Sequence, residues 1–198
     1  MEQELFEGPI TVVISEAEAA RACAFLATQP RLGIDTETRP NFRRGGMNPV
    51  ALLQLSTYER AFLFRLNRIG LTQPLVDLLQ NPNVLKVGLS LKDDWGQLHR
   101  RASFQPANYV ELQEYVREIG ILDMSLQKIY ANLFRRRISK AQQLTNWEAD
   151  SLSEAQQRYA ATDAWACLRI YDDVTTLKAN GKFILKQTNI EATPNDED

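Results

Sequence analysis

Leu32-Gly33-Ile34-Asp35-Thr36-Glu37-Thr38 opens as an apolar strand and closes on two carboxylates. Residues two apart on a strand leave from the same face, so Asp35 and Glu37 can reach one cation. An Asp-x-Glu triplet alone is commonplace. Here it ends a strand that the flanking pattern buries, which is where α/β sheets place their ligands.

Two distant segments repeat the anomaly of an acid where a buried side chain is expected. In Leu89-Ser90-Leu91-Lys92-Asp93-Asp94-Trp95 a helix starts, and Leu91, Trp95 and Leu98 form its apolar stripe. Asp94 stands on that stripe while Asp93 points away, favoured in the first turn by the helix dipole. In Tyr159-Ala160-Ala161-Thr162-Asp163 the tyrosine and the acid are i and i+4, neighbours on a face shared with Cys167, Ile170, Val174 and Leu177. Buried, unpaired carboxylates are costly, so four of them imply metal ions. Oxygen-only ligands suit Mg²⁺ or Mn²⁺, and no Cys or His cluster has zinc spacing.

Outward from these segments the pattern alternates strand and helix. Strands are expected at Ile10 to Ile14, Leu32 to Thr38, Ala51 to Ser56, Ala61 to Leu66 and Val84 to Leu89. The tight turn Thr57-Tyr58-Glu59-Arg60 joins the third and fourth as an antiparallel hairpin. Helices are expected from Ser15 to about Thr28, from the Pro74 turn to Leu79, and at Leu91–Arg101, Leu112–Ile119, Ser125–Phe134 and Ser153–Ala179. Strands first and a helical half afterwards argue for an α/β fold with a mixed sheet. Arg39 to Asn48, with its Gly45-Gly46 pair, reads as a mobile loop beside the first acidic pair.

A chain of 198 residues, 44% hydrophobic, fills one core. One domain is expected over residues 1–188, followed by an acidic, disordered tail over 189–198. No apolar run approaches a membrane span, and the start Met1-Glu2-Gln3-Glu4 is acidic where a secretory signal is basic, so a soluble cytoplasmic protein is expected. Cys23 and Cys167 read as buried thiols, which fits a reducing compartment. The net charge of −2 offers a polyanion no overall attraction, so any such partner needs locally gathered positive charge. Arg39, Arg43 and Arg44 could supply it, as could Arg135-Arg136-Arg137 with Lys140, and His99-Arg100-Arg101.

With these motifs in order, the chain resembles the DEDDy group of 3′–5′ exonucleases, the ribonuclease D and Werner-type branch of the ribonuclease-H-like superfamily. The resemblance runs from about Pro9 to Val174 and includes the strand Ala51-Leu52-Leu53-Gln54-Leu55-Ser56 and the Asn146-Trp147 pair. It implies a ribonuclease-H-like mixed β-sheet flanked by α-helices, with two divalent ions on Asp35, Glu37, Asp94 and Asp163. Tyr159 would orient the attacking water, being a poor base with an ordinary pKa of about 10. The implied partner is a nucleic-acid 3′ end, as a single strand or an overhang, and the resemblance does not decide between DNA and RNA. Substrate contacts are expected from Thr36, Arg43, Arg44, Lys140, Asn146 and Trp147, and targeting would need an unidentified protein partner or come from the Arg39–Asn48 loop and the Arg135–Lys140 run. Glu111 departs from the family, where aspartate is expected.

Two other classes fit part of the pattern. Phosphohydrolases acting on small phosphate esters commonly pair two aspartates at a strand end, but the partner here is Glu37. A binding module on the same fold would have no need of all four acids and the tyrosine.

Overall fold

The computed structural model describes residues 1–183. The expected tail over 189–198 lies outside the described residues, as do the last residues of the expected domain. The chain runs β1 (Ile10–Val13), α1 (Glu16–Leu26), β2 (Arg31–Thr38), β3 (Val50–Ser56), β4 (Ala61–Arg65), α2 (Leu66–Ile69), α3 (Gln73–Gln80), β5 (Leu85–Gly88), α4 (Leu91–His99), β6 (Tyr109–Glu111), α5 (Leu112–Tyr115), α6 (Leu126–Phe134) and α7 (Glu154–Asn180). A 3₁₀ turn, Val116–Ile119, continues α5 and replaces the second half of the single helix expected there.

The six strands form one mixed sheet in the order β1-β4-β3-β2-β5-β6. β2, β3 and β4 are antiparallel neighbours, and the expected hairpin joins the last two. β1 runs parallel to β4, β5 to β2, and β6 to β5.

Alternation along the strands sorts their side chains onto two faces. Ile34, Leu53, Leu55, Phe62 and Phe64 bury one face against α1, α3 and α4. The opposite face meets α7, with Leu52 and Leu63 beside Trp147, Tyr159 and Ala160. Helix α7 starts at a capping box, in which the Ser153 side chain accepts the Gln156 N–H while the Gln156 side chain accepts the Ser153 N–H.

The approach of α7 to the sheet is set at one point. A Cβ built on Gly33 would sit 1.8 Å from the Ala164 carbonyl oxygen, so only glycine lets β2 and α7 meet at this distance. Asp35 and Glu37 follow Gly33 on the same face, and Asp163 precedes Ala164. The packing of two backbones therefore brings the strand acids to the helix acid.

Candidate active site

Asp35, Glu37 and Asp163 each turn a carboxylate oxygen inward, and these oxygens lie within 4.8 Å of one another. Glu37 and Asp163 are buried, and Asp35 is half-buried with its Oδ1 accepting the Thr36 N–H at 2.9 Å. Burial raises all three acids. It pushes Asp35 up to about 8, helped by the charge of Asp163. It pushes Glu37 to about 10, with Asp35, Asp163 and Asp94 adding to it. Asp163 also rises to about 8 through burial, opposed by its hydrogen bond with Tyr159. Clustered carboxylates hold protons in this way unless a cation takes their place.

Asp94 approaches from the other side of β2. Thr36 alternates with Asp35 and Glu37, so it faces α4, and its Oγ1 donates to Asp94 Oδ1 at 2.7 Å. The Asp94 carboxyl is held well above the usual carboxylate range by burial and then by the charge of Asp35. Asp93, as expected, is exposed. The start of α4 is unusual: Ser90 stands in the left-handed region at φ 59° and makes no side-chain cap. Glu111 at the end of β6 supplies the missing acceptors, taking the Ser90 N–H at 3.0 Å and the Leu91 N–H at 2.7 Å. Glu111, where the sequence resemblance led us to expect aspartate, thus anchors the helix carrying Asp94.

Two carboxylate oxygens here, Asp94 Oδ2 and Asp163 Oδ1, are buried without a hydrogen-bond partner among the described residues. Orphaned acceptors on acids, in a site built of oxygen donors, fit a hard divalent cation.

Tyr159 lies one turn before Asp163, buried and within hydrogen-bond reach of its carboxylate. Burial raises its hydroxyl far above the ordinary value, and the charges of Asp163, Glu37 and Asp35 add to the shift, so at neutral pH it is a hydrogen-bond donor. A cavity of about 710 Å³ opens beside it, lined by Leu5, Ile138, Gln142 and Arg158 among others.

The expected substrate residues fare unevenly. Arg43 and Arg44 are exposed on the loop after β2, and the backbone of Arg43 is held by Asn41 Oδ1. Two interactions anchor this loop: Asn48 Nδ2 donates to the Arg39 carbonyl at 2.9 Å, and Arg39 pairs with Glu148 at 3.3 Å. Lys140 and Asn146 are exposed. Trp147 is corrected: it is fully buried, so it offers substrate no surface and instead backs the Tyr159 ring at 5.9 Å between centroids. The Thr36 hydroxyl donates to Asp94, which leaves its oxygen free to accept. Arg136, in the densest basic run, is taken by Glu2 and Glu4. His99 caps the Phe104 carbonyl and stacks on the Phe104 ring.

Residues 10–177 match the family model described as 3′-5′ exonuclease. The chain is 30% identical over 152 residues to the bifunctional 3′-5′ exonuclease/ATP-dependent helicase WRN of Mus musculus, across 74% of this chain and 11% of the mouse protein. The Nibbler EXO domain of Aedes aegypti superposes with a TM-score of 0.80 at 21% identity, over 92% of this chain and 94% of that one. RNase D of Escherichia coli gives a TM-score of 0.76 at 21% identity, over 91% of this chain and 46% of that one. At these identities the two structures speak for the fold. The chain spans about a tenth of the mouse protein and about half of the bacterial one.

Proposed function

The chain belongs to the 3′–5′ exonuclease family, and from that premise we propose that it shortens a nucleic-acid strand stepwise from its 3′ end, releasing nucleoside 5′-monophosphates. The single observation that carries this is the convergence of Asp35, Glu37 and Asp163, oxygens within 4.8 Å, beneath a Tyr159 hydroxyl.

Asp35, Glu37, Asp94 and Asp163 would hold two divalent ions, Mg²⁺ or Mn²⁺. Such a pair lowers the pKa of a bound water and neutralises charge on the leaving 3′-oxygen. The protein's own contribution is positional. Asp35 and Glu37 are fixed by the strand, Asp163 by the helix packed on it, and Asp94 by Thr36 and the Glu111 clamp. Tyr159 donates its proton as a hydrogen bond and orients the attacking water without accepting a proton from it. A frayed single strand suits this site, because a duplex end would first have to unstack. Arg43, Arg44, Lys140 and Asn146 would meet the backbone.

Among the described residues no helix is long and apolar enough to cross a membrane. Two free buried thiols, Cys23 and Cys167, support a reducing intracellular location. Targeting would come from a separate protein or from the Arg39–Asn48 loop and the Arg135–Lys140 run.

The test is a 5′-labelled single strand, DNA and RNA in parallel, with Mg²⁺ or Mn²⁺ and with chelator. A metal-dependent ladder of stepwise shortened products is expected from at least one of the two. Cleavage of a circular strand, or release of label as a mononucleotide at once, overturns the proposal.

A further inference from the structure

Arg65 ends β4 and is 2% exposed, yet among the described residues no carboxylate lies within ion-pairing distance of it. Alternation puts it on the same face as Leu63, the face covered by Trp147, Tyr159 and Ala160. Its two terminal nitrogens bond to backbone carbonyls of a single segment, while Nε is buried without a partner among the described residues. Nη1 donates to the Asp150 carbonyl at 3.0 Å, and Nη2 donates to that of Trp147 at 3.5 Å and to that of Ala149. Arg68 adds a second donor to the Asp150 carbonyl.

The segment Asn146 to Leu152 has no helix or strand of its own, and apart from the Asn146 carbonyl, which accepts the Ala149 N–H at 3.2 Å, its buried carbonyls need partners from elsewhere. A buried charge is a costly way to supply them. What the segment carries makes sense of that cost. Trp147 is wholly buried, its indole donates to the Gln143 carbonyl at 3.3 Å, and its ring lies against Tyr159 at 5.9 Å and 34°. The chain of interactions runs unbroken from Arg65 through the 147–150 carbonyls and the Trp147 ring to Tyr159.

We infer that Arg65 is a positioning residue for the exonuclease reaction: by fixing the backbone that bears Trp147, it holds the Tyr159 hydroxyl at the angle from which it orients the attacking water. The inference rests on the function proposed above. A planar fork that reaches several carbonyls at once is a property of arginine, and a lysine can reproduce only part of it.

The test is a kinetic cycle at saturating metal, combining Arg65→Met or Arg65→Lys with Tyr159→Phe. Arg65→Met should lower kcat about 10- to 100-fold, as expected when a catalytic group is slightly misplaced, with KM little changed. Arg65→Lys should recover part of the loss. In the Tyr159→Phe background neither change should matter further, because the hydroxyl they position is gone. Equal losses in both backgrounds, or an effect confined to KM, overturn the inference while leaving the exonuclease intact. If neither Arg65 variant folds, Arg68→Ala decides: a smaller loss of kcat that vanishes without the Tyr159 hydroxyl supports the strut, and a persistent loss or none at all overturns it. Fluorine NMR of the protein labelled with 5-fluorotryptophan reads the strut without turnover. The Trp147 resonance should move in Arg65→Lys and Arg68→Ala, and an unmoved resonance in both sinks the inference. A wild-type protein without metal-dependent shortening would instead sink the function.

Discussion

Thr36 donates a hydrogen bond to Asp94 at 2.7 Å, joining residues 58 positions apart and tying the strand of the first acidic pair to the helix of the third acid. Asp94 is not among the three acids that close to within 4.8 Å, so this hydroxyl and the Glu111 clamp decide where its carboxylate waits. Thr36→Val keeps the shape and removes the bond. A hydrogen bond to a charged group contributes about 1.5–3 kcal/mol, so metal affinity should weaken roughly tenfold or more. Calorimetric titration with Mn²⁺ measures it, and an unchanged affinity would mean that the helix alone places Asp94.

Asp93 and Asp94 are adjacent in sequence and opposite in setting, one exposed and one held above the carboxylate range by burial. Asp94→Asn should remove nearly all turnover. Asp93→Asn should keep it within about threefold, as surface changes commonly do. The reverse outcome would transfer the ligand role to Asp93.

The raised acids make the metal-free protein sensitive to pH. Asp35 and Asp163 hold their protons to about 8 when folded and release them near an ordinary value of about 3.9 when unfolded. The folded state therefore binds more protons through this interval. Their contribution to stability is complete below about pH 4 and is lost as pH rises towards 8. Denaturation in chelator should follow that slope. Asp35→Asn or Asp163→Asn should flatten it and raise the melting temperature at pH 8. Metal binding must then expel protons, so its calorimetric enthalpy should change with the ionisation heat of the buffer. An enthalpy independent of buffer would show that the acids are already ionised.

The acids were legible in the sequence because two periodicities place them, alternation for Asp35 and Glu37 and the helical stripe for Asp94 and Asp163. What escaped depends on packing between elements. Thr36 cannot be assigned until α4 is known to lie across its face. Trp147 sits in a loop, where sequence carries no burial signal, and Arg65 looks like a charge at a strand end. β6 is three residues long on the edge of the sheet, too short for a pattern. Arg136 reads as free until the chain's first residues return Glu2 and Glu4 to it.

Arg43 and Arg44 are exposed and, among the described residues, paired with no carboxylate, on a loop that begins one residue after β2 ends. Changing both to alanine should weaken binding of a single strand and reduce its salt slope by about 0.7 for each phosphate left without its arginine. Turnover at saturating substrate should persist. A slope equal to that of the wild type would make these arginines solvated surface.

Gly33 is the point where this site has a fixed gauge. With 1.8 Å between its missing Cβ and the Ala164 carbonyl oxygen, a single methyl group would drive α7 off the sheet and carry Asp163 away from Asp35 and Glu37. Every ligand would survive such a change and their spacing would not. The position thus shows how a hydrolase can be silenced by altering a separation, in a residue that has no chemistry of its own.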